Sequence, residues 1–468
     1  MRYVTFLTFI CVLLTIQFLP AQAPDTLWTR TYGEGIGYCV IETSDSSLVI
    51  VGCSVYDYGP GGDLRLLKTN SDGDTIWTKT YGDTNYDDWG YSVKETPDGG
   101  FIIVGSTASF GAGDQDVWLL KTDEFGDTLW TKTFGGDSVD IGKCVQITND
   151  GGFIIVGSTK SFGAGSEDVW LIKTDPDGNT LWTKTYGDSL YAWGNYVIQT
   201  SDSGFALVGG VGWSGWSCWF IKTDSAGDSI WSKILLPWFP AESRCVLELD
   251  SGYLVSYETF SLGGGGMGLV MINFSGDTLW TQGYGGSSIS SVIQTNDDNF
   301  LCAGGGPYTY PFAPIILFDN TGGLIWWINF FGSRALMSAI QTIDNSYIAT
   351  GMGVDLLSDD RLYLCKIGTP TGINQTNDII FKSFSLSQNY PNPFNPSTTI
   401  AFDLPKSTKV TLKVFNILGE EVATLVSDRL SAGSYSYEWD ASSLASGVYI
   451  YRLQADGFVQ TRKMILMK

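Results

Sequence analysis

Between positions 140 and 186, hydrophobic and polar residues fall into four short runs divided by turn residues. Lys143 to Thr148 mixes apolar and polar positions and predicts a strand. Asn149-Asp150-Gly151-Gly152 is a turn made of residues that accept positive φ. Phe153 to Gly157 is almost wholly apolar, the pattern of a strand covered on both faces. A loop from Ser158 to Asp168 leads to another strand, Val169 to Thr174. Asp175-Pro176-Asp177-Gly178 turns the chain again, and Thr180 to Tyr186 forms the last strand, carrying Trp182.

This four-strand grammar recurs. Its marker tryptophan stands at Trp28, Trp77, Trp130, Trp182, Trp231, Trp280 and, in a degenerate copy, Trp327. A period of about 50 residues fits a propeller blade of four short strands. The stretch Lys121 to Trp130, KTDEFGDTLW, resembles the tryptophan-docking turn of quinoprotein-type, WD-like propeller repeats. That resemblance implies that the tryptophan strand is the outermost one of each blade. The chain then opens with an outermost strand (Leu27 to Gly33) and closes with a three-strand set (Met337 to Ile367). Joined, they make a seventh blade. The expected fold is an all-β, seven-bladed propeller over residues 24–368, stitched shut where its two ends pair. Such closure leaves no exposed strand edge at the seam. The repeated tryptophan is expected to fill the gap between neighbouring blades.

Residues 1–23 read as a secretory signal: Arg2, an apolar stretch from Val4 to Leu14, and the small-x-small site Ala21-Gln22-Ala23. The apolar run is short for a membrane span, and no other segment qualifies. Composition shifts after Gly368. Residues 369–383 read as a polar linker, and residues 384–468 as a separate domain. That domain opens with Asn389, Tyr390, Pro391, Asn392, Pro393, Phe394, Asn395 and Pro396. It continues with VTLKVFNILGEEVATL (Val410 to Leu425), Gly433-Ser434-Tyr435 and Ser446-Gly447-Val448-Tyr449-Ile450-Tyr451, and ends in TRKMILMK. Together these resemble the C-terminal sorting domain of type IX (Por) secretion cargo, an Ig-like β-sandwich. The resemblance implies passage through the type IX machinery of a diderm bacterium, to the cell surface or the medium.

Charge and composition narrow the function. With 49 acidic against 27 basic residues the formal charge is −22. A basic surface for nucleic acid or anionic membrane is therefore excluded. There is no histidine. That removes Ser–His–Asp and Cys–His hydrolases and histidine-ligated zinc. Outside the signal, seven cysteines remain at irregular spacing with no CxxC pair. They read as small buried apolar side chains, with Cys39 and Cys53 the one candidate for a local disulfide.

In a propeller the second-to-third and outermost-to-first loops share one face, where binding usually resides. Here that face is rich in aromatic and acidic residues. The candidate ligand-binding set is Asp87, Asp88, Trp89, Tyr191, Trp193, Trp213, Trp216, Trp238, Tyr308 and Tyr310. Exposed aromatic rings suit sugar stacking or protein contact. Carboxylates of the same face (Asp87, Asp88, Asp114, Asp116, Asp140, Glu167, Asp168) are hard oxygen donors, but no EF-hand loop is present and calcium is not required by the pattern. No cofactor is expected. SFGAGDQD (109–116) and SFGAGSED (161–168) are Gly-rich, yet they join two strands and lack the helix and lysine of a phosphate loop. The leading expectation is a non-catalytic, exported binding or adhesion protein whose ligand is a glycan or a surface protein. Two alternatives stand beside it. One is an extracellular glycan-active enzyme using paired carboxylates, with Asp87 and Asp88 or Asp140 as acid and base. The other is a purely structural surface component.

Overall fold

The computed structural model describes residues 24–467 except 55–60, 84, 189–190, 213–216, 237–239, 260–265, 286–287, 306–311, 332, 355–359, 369–384, 387–388, 390–391, 405–407 and 431–432. The signal segment, the linker and the site candidates Trp213, Trp216, Trp238, Tyr308 and Tyr310 lie outside the described residues, as do Tyr390 and Pro391 of the sorting motif. The chain divides into two compact units, Met1–Pro370 and Thr371–Lys468. Every regular element among the described residues is a strand.

The first unit is seven antiparallel four-stranded sheets. Blade three runs Asp140–Ile147, Phe153–Thr159, Asp168–Thr174 and Thr180–Tyr186, side by side in chain order. Its two middle strands are buried along their whole length, whereas the outer strand alternates exposed and half-buried positions. The inner strands of successive blades touch in a closed ring, in which Ser333–Gln341 of blade seven meets Ile36–Glu42 of blade one. This is the seven-bladed propeller. The N-terminal strand Thr26–Glu34 pairs antiparallel with Asp360–Ile367, with Trp28 opposite Lys366 and Arg30 opposite Leu364. The first strand of the chain thus completes the last blade.

Six of the seven seams between blades are made the same way. The turn after the third strand places a glycine at positive φ, such as Gly126 at 78°. A methyl group there would lie 3.0 Å from the Trp77 ring of the preceding blade. Glycine is needed both for the left-handed backbone and for the close approach of the indole. Tyr81 Oη donates to the Gly126 carbonyl at 2.5 Å, and Lys79 pairs with Asp127 at 2.7 Å. Trp130 and Trp182 sit likewise on Gly178 and Gly227. Blade six departs from the expected register. Trp326 is opposite Leu317 and is 1% exposed, while Trp327 is 48% exposed. Trp326, tilted against Tyr347 with ring centres 5.8 Å apart, is therefore the docking residue, and Trp327 faces outward. A shift of one residue along a strand reverses the face.

A second device closes the turn between the first two strands. Thr148 Oγ1 donates to Asp150, and the buried Lys173 ammonium pairs with the same carboxylate at 2.9 Å. The clasp recurs at Asp45 and Lys68, Asp98 and Lys121, Asp202 and Lys222, and Asp344 and Lys366. Although burial pushes upward, the threonine hydroxyl and the lysine hold Asp98 and Asp150 down at about 2.

The proposed Cys39–Cys53 disulfide is absent. Cys53 stands opposite Ile36, and Cys39 stands opposite Val51, so the two side chains are not paired across the ladder. Cys39, Cys144 and Cys245 instead aim their thiols at carbonyls of the next inner strand, Val93, Val197 and Val292.

The second unit is a β-sandwich. One sheet is Ser385–Leu386, Ser397–Leu404 and Gly433–Asp440, and the other is Glu421–Leu430, Thr408–Phe415, Gly447–Ala455 and Phe458–Leu466. Phe402, Ile400 and Trp439 of the first pack with Leu412, Tyr451 and Met464 of the second. The described part of the sorting motif is fastened to the last strand. Phe394 is buried, its N–H donates to the Ile465 carbonyl, and its carbonyl accepts from Met467 N–H, each at 2.9 Å. Asn392 Oδ1 accepts from Ile465 N–H, and Asn389 N–H donates to Tyr451 Oη.

Candidate functional site

Every inner strand of the propeller carries a bulge at the same place, and that of blade seven has a second at Arg334. Blade three pairs Gly142 with Gly157 and Cys144 with Val156, so Lys143 has no partner on the ladder. The corresponding residues are Tyr38, Tyr91, Asn195, Arg244, Ser290 and Met337. A bulge turns its residue out of the sheet plane, and bulges cluster beside active sites. These seven residues ring the propeller axis, and all are half-buried. The residue before the bulge is glycine in four blades and serine in a fifth, whereas the bulge residue itself is tyrosine in two blades and different in each of the others.

One arc of the ring is aromatic. Tyr38 stacks with Trp89 at 6.4 Å and meets Tyr91 at 5.1 Å, and Trp89 meets Tyr91 edge-on at 6.0 Å. Met337 packs with Tyr38 and Trp89 over Ile36, Cys53 and Met352. The other arc is charged. Glu242 accepts from Trp193 Nε1 at 2.7 Å and from Asn195 Nδ2 at 2.6 Å. Arg244 pairs with Glu242 at 3.4 Å and with Glu258. Both glutamates are buried, and their charge holds Arg244 above its ordinary value despite the opposing effect of burial.

Lys143 joins the two arcs. Its ammonium lies 3.8 Å from the centre of the Tyr91 ring, a cation–π contact. Burial first, then the positive charge of Arg244, lowers it to about 8, with Glu242 and Glu167 acting against them. No carboxylate lies within ion-pair distance of Lys143 among the described residues. Arg244 is neutralised by two carboxylates, so Lys143 is the cation left to meet an incoming group.

The residues singled out from sequence fall in several places. Asp87 is a half-buried loop residue whose Oδ1 accepts from Gly61 and Gly62 N–H at 3.1 and 3.2 Å. Asp88 is not a loop residue. It opens Asp88–Glu95, is fully buried, and accepts from Asp83 N–H and from Ser109 Oγ. Trp89 is on the same strand, in the aromatic arc. Tyr191 opens Tyr191–Gln199 and is exposed, and Trp193 on that strand orients Glu242. The structure therefore brings Trp89 and Trp193 to the ring and leaves Asp87 and Asp88 in support of loops. The Gly-rich loops are wrapped around their own aspartates: Ala112 and Gly113 N–H donate to Asp116 Oδ2, and Gly165 N–H to Asp168 Oδ2.

Tyr38, Tyr91, Lys143, Asn195 and Arg244 lie on inner strands, outside the loops to which the sequence points as the binding face. A signal was present. The variable residue follows a small one in Gly-Tyr-Cys-Val, Gly-Tyr-Ser-Val, Gly-Lys-Cys-Val and Ser-Arg-Cys-Val. Glycine inside a strand pattern marks a bulge or a close approach.

Residues 388–467 match the family described as the secretion system C-terminal sorting domain. No functionally curated protein matches the chain. Among solved structures, similarity extends to PorZ, an essential surface component of the type IX secretion system of Porphyromonas gingivalis. The identity is 13%, the TM-score 0.41, and 90% of this chain and 58% of that one are covered. The chain thus spans little more than half the length of PorZ. A fungal alcohol oxidase in complex with copper matches at 11% identity and TM-score 0.44, covering 96% of this chain and 100% of the other. A protein of unknown function from Bacteroides caccae matches at 9% identity and TM-score 0.38, covering 64% and 94%. The chain carries a type IX sorting domain and is a secreted or cell-surface protein of a Bacteroidetes-type diderm bacterium.

Proposed function

We propose that the protein binds an acidic carbohydrate at the bulge ring of its propeller, outside the cell. The observation that carries this reading is the ring itself, where seven equivalent bulge positions place six kinds of side chain around one axis. Aromatic faces beside polar groups suit sugar rings, because they offer large contact area at low entropy cost. Lys143, half-buried and without a carboxylate partner among the described residues, supplies the charge that selects an acidic sugar. In a chain of net charge −22 an anionic ligand gains nothing from the overall field, so recognition has to be local. The test is a glycan array probed with the purified protein and with Lys143→Gln. Binding to uronic-acid or sialic-acid glycans that the variant loses supports the reading. A blank array, or hits that Lys143→Gln leaves unchanged, counts against it.

A further inference from the structure

Away from the ring, four blades carry a carboxylate where the third strand begins; that of blade seven, Asp360, pairs with Arg334 at 3.0 Å, and the other three share an unusual setting. Asp63 precedes the third strand of blade one, Asp116 opens that of blade two, and Asp168 opens that of blade three. Asp116 and Asp168 are each 1% exposed. Oδ2 of each takes main-chain N–H groups, Ala112 at 2.7 Å and Gly113 at 3.2 Å in one, and Gly165 at 2.9 Å in the other. Oδ1 of all three is buried with no hydrogen-bond partner among the described residues. Burying an acceptor without a partner is costly, and the same cost recurs in three successive blades.

These oxygens face the seams. A methyl group on Gly135 would fall 1.6 Å from Asp116 Oδ1 and 2.8 Å from Asp140 Oδ2. The two oxygens are thus within about 4.5 Å of each other, a span that one cation with oxygen ligands at about 2.3 Å bridges. Asp140 is fully buried and opens the inner strand of the next blade. Its N–H donates to the Gln115 carbonyl at 2.8 Å, and Asp88 N–H makes the equivalent bond to the Gly62 carbonyl at 2.6 Å. Asp88 therefore holds the place of Asp140 at the seam between blades one and two, as Asp63 holds that of Asp116. In the next seam the place belongs to Ala192, whose N–H donates to the Glu167 carbonyl at 2.7 Å.

We infer that the seams between blades one and two and between blades two and three each hold one divalent cation, calcium by its ligand chemistry, between their paired aspartates. Hard carboxylate oxygens select calcium over the softer metals. No group of three or more Asp, Glu, Cys or His side chains converges among the described residues, so each site completes its shell from the main chain and water. The seam that carries Asp168 alone holds no cation. A bound ion removes the repulsion of the pair and links two blades directly.

The test titrates the purified protein with calcium and with magnesium after dialysis against a chelator. Heat of binding and melting temperature are read together. Two calcium ions per chain are expected, with a rise in melting temperature of roughly 5 °C or more. Asp116→Asn and Asp63→Asn each lose one ion, and Asp168→Asn keeps both. A wild-type protein that neither binds calcium nor melts higher in its presence overturns the assignment. A stoichiometry that Asp116→Asn and Asp63→Asn leave at two overturns it as well. If both variants fail to fold, the wild-type stoichiometry still decides.

Discussion

The Trp28 ring packs on Gly73: a methyl group on that glycine, which sits at φ 81°, would lie 3.0 Å from the indole. Trp28 belongs to the strand that completes blade seven, and Gly73 to a turn of blade one. Tyr32, on the same N-terminal strand, donates to the Gly73 carbonyl at 2.5 Å. One short segment therefore supplies both the outer strand of the last blade and its seam to the first. Trp28→Ala is expected to cost about 2 kcal/mol, below the cost for a fully buried tryptophan because the ring is half exposed. Gly73→Ala, forced to positive φ against the ring, is expected to cost as much or more. Deleting residues 24–33 should lower the unfolding midpoint further than either. Urea unfolding followed by tryptophan fluorescence checks all three.

The threonine–aspartate–lysine clasps give the propeller an acid limit. Asp98, Asp150 and Asp202 titrate at about 2, below the ordinary carboxylate value. A carboxyl that is more acidic in the folded state contributes stability above its unfolded value and loses it as pH falls through the folded one. Melting temperature should hold down to about pH 4 and fall steeply towards pH 2. Asp150→Asn leaves the buried Lys173 ammonium without its counter-charge, with only neutral oxygen acceptors such as the Thr174 carbonyl, and should cost about 2 kcal/mol at pH 7. Lys173→Met, which removes the buried charge and keeps the volume, should cost less. Melting curves of the two variants across pH check the order.

Lys143 titrates in the opposite sense. It gives up its proton at about 8 when folded but near its ordinary, higher value when unfolded. The charged form opposes folding at neutral pH, so stability from this residue rises as pH passes from about 8 towards 10. Lys143→Met should therefore be stabilising at pH 7 and nearly neutral at pH 10. An equal effect of the variant at both pH values would contradict the burial argument. Denaturant midpoints at the two pH values decide it.

The turn between the first two strands shows where natural strain lies. Gly99 and Gly151 hold φ of 80° and 81°, but Ser203 holds 66° at the equivalent place. Serine is disfavoured there by its Cβ. Ser203→Gly should raise stability by up to about 1 kcal/mol, with part of the gain lost to the added freedom of the unfolded chain. Gly151→Ser should do the reverse. Thermal unfolding of both checks the sign.

The repeat was readable in the sequence because its period, its turn residues and its tryptophan coincide in nearly every copy. The closing strand followed from that period once the tryptophan strand was taken as outermost. What failed had local causes. The blade-six tryptophan was misassigned by one place because two adjacent indoles satisfy the same motif, and only the pairing of Trp326 with Leu317 separates them. Asp88 read as a loop residue because a charged residue at a strand start looks like a turn. Its burial depends on Ser109 and Asp83, which fold back over it. The ring at Lys143 was hidden because a bulge is a property of two paired strands and leaves only a glycine as its trace in one of them.

The central claim is that the bulge ring takes an acidic sugar through Lys143. Its most direct test is calorimetric titration of an acidic glycan into the wild-type protein at pH 7 and pH 9, and into Lys143→Gln at pH 7. Affinity is expected to be at least about tenfold lower in the variant, and to fall markedly in the wild type at pH 9, where the lysine has lost its charge. Affinity that is the same in all three titrations would contradict it.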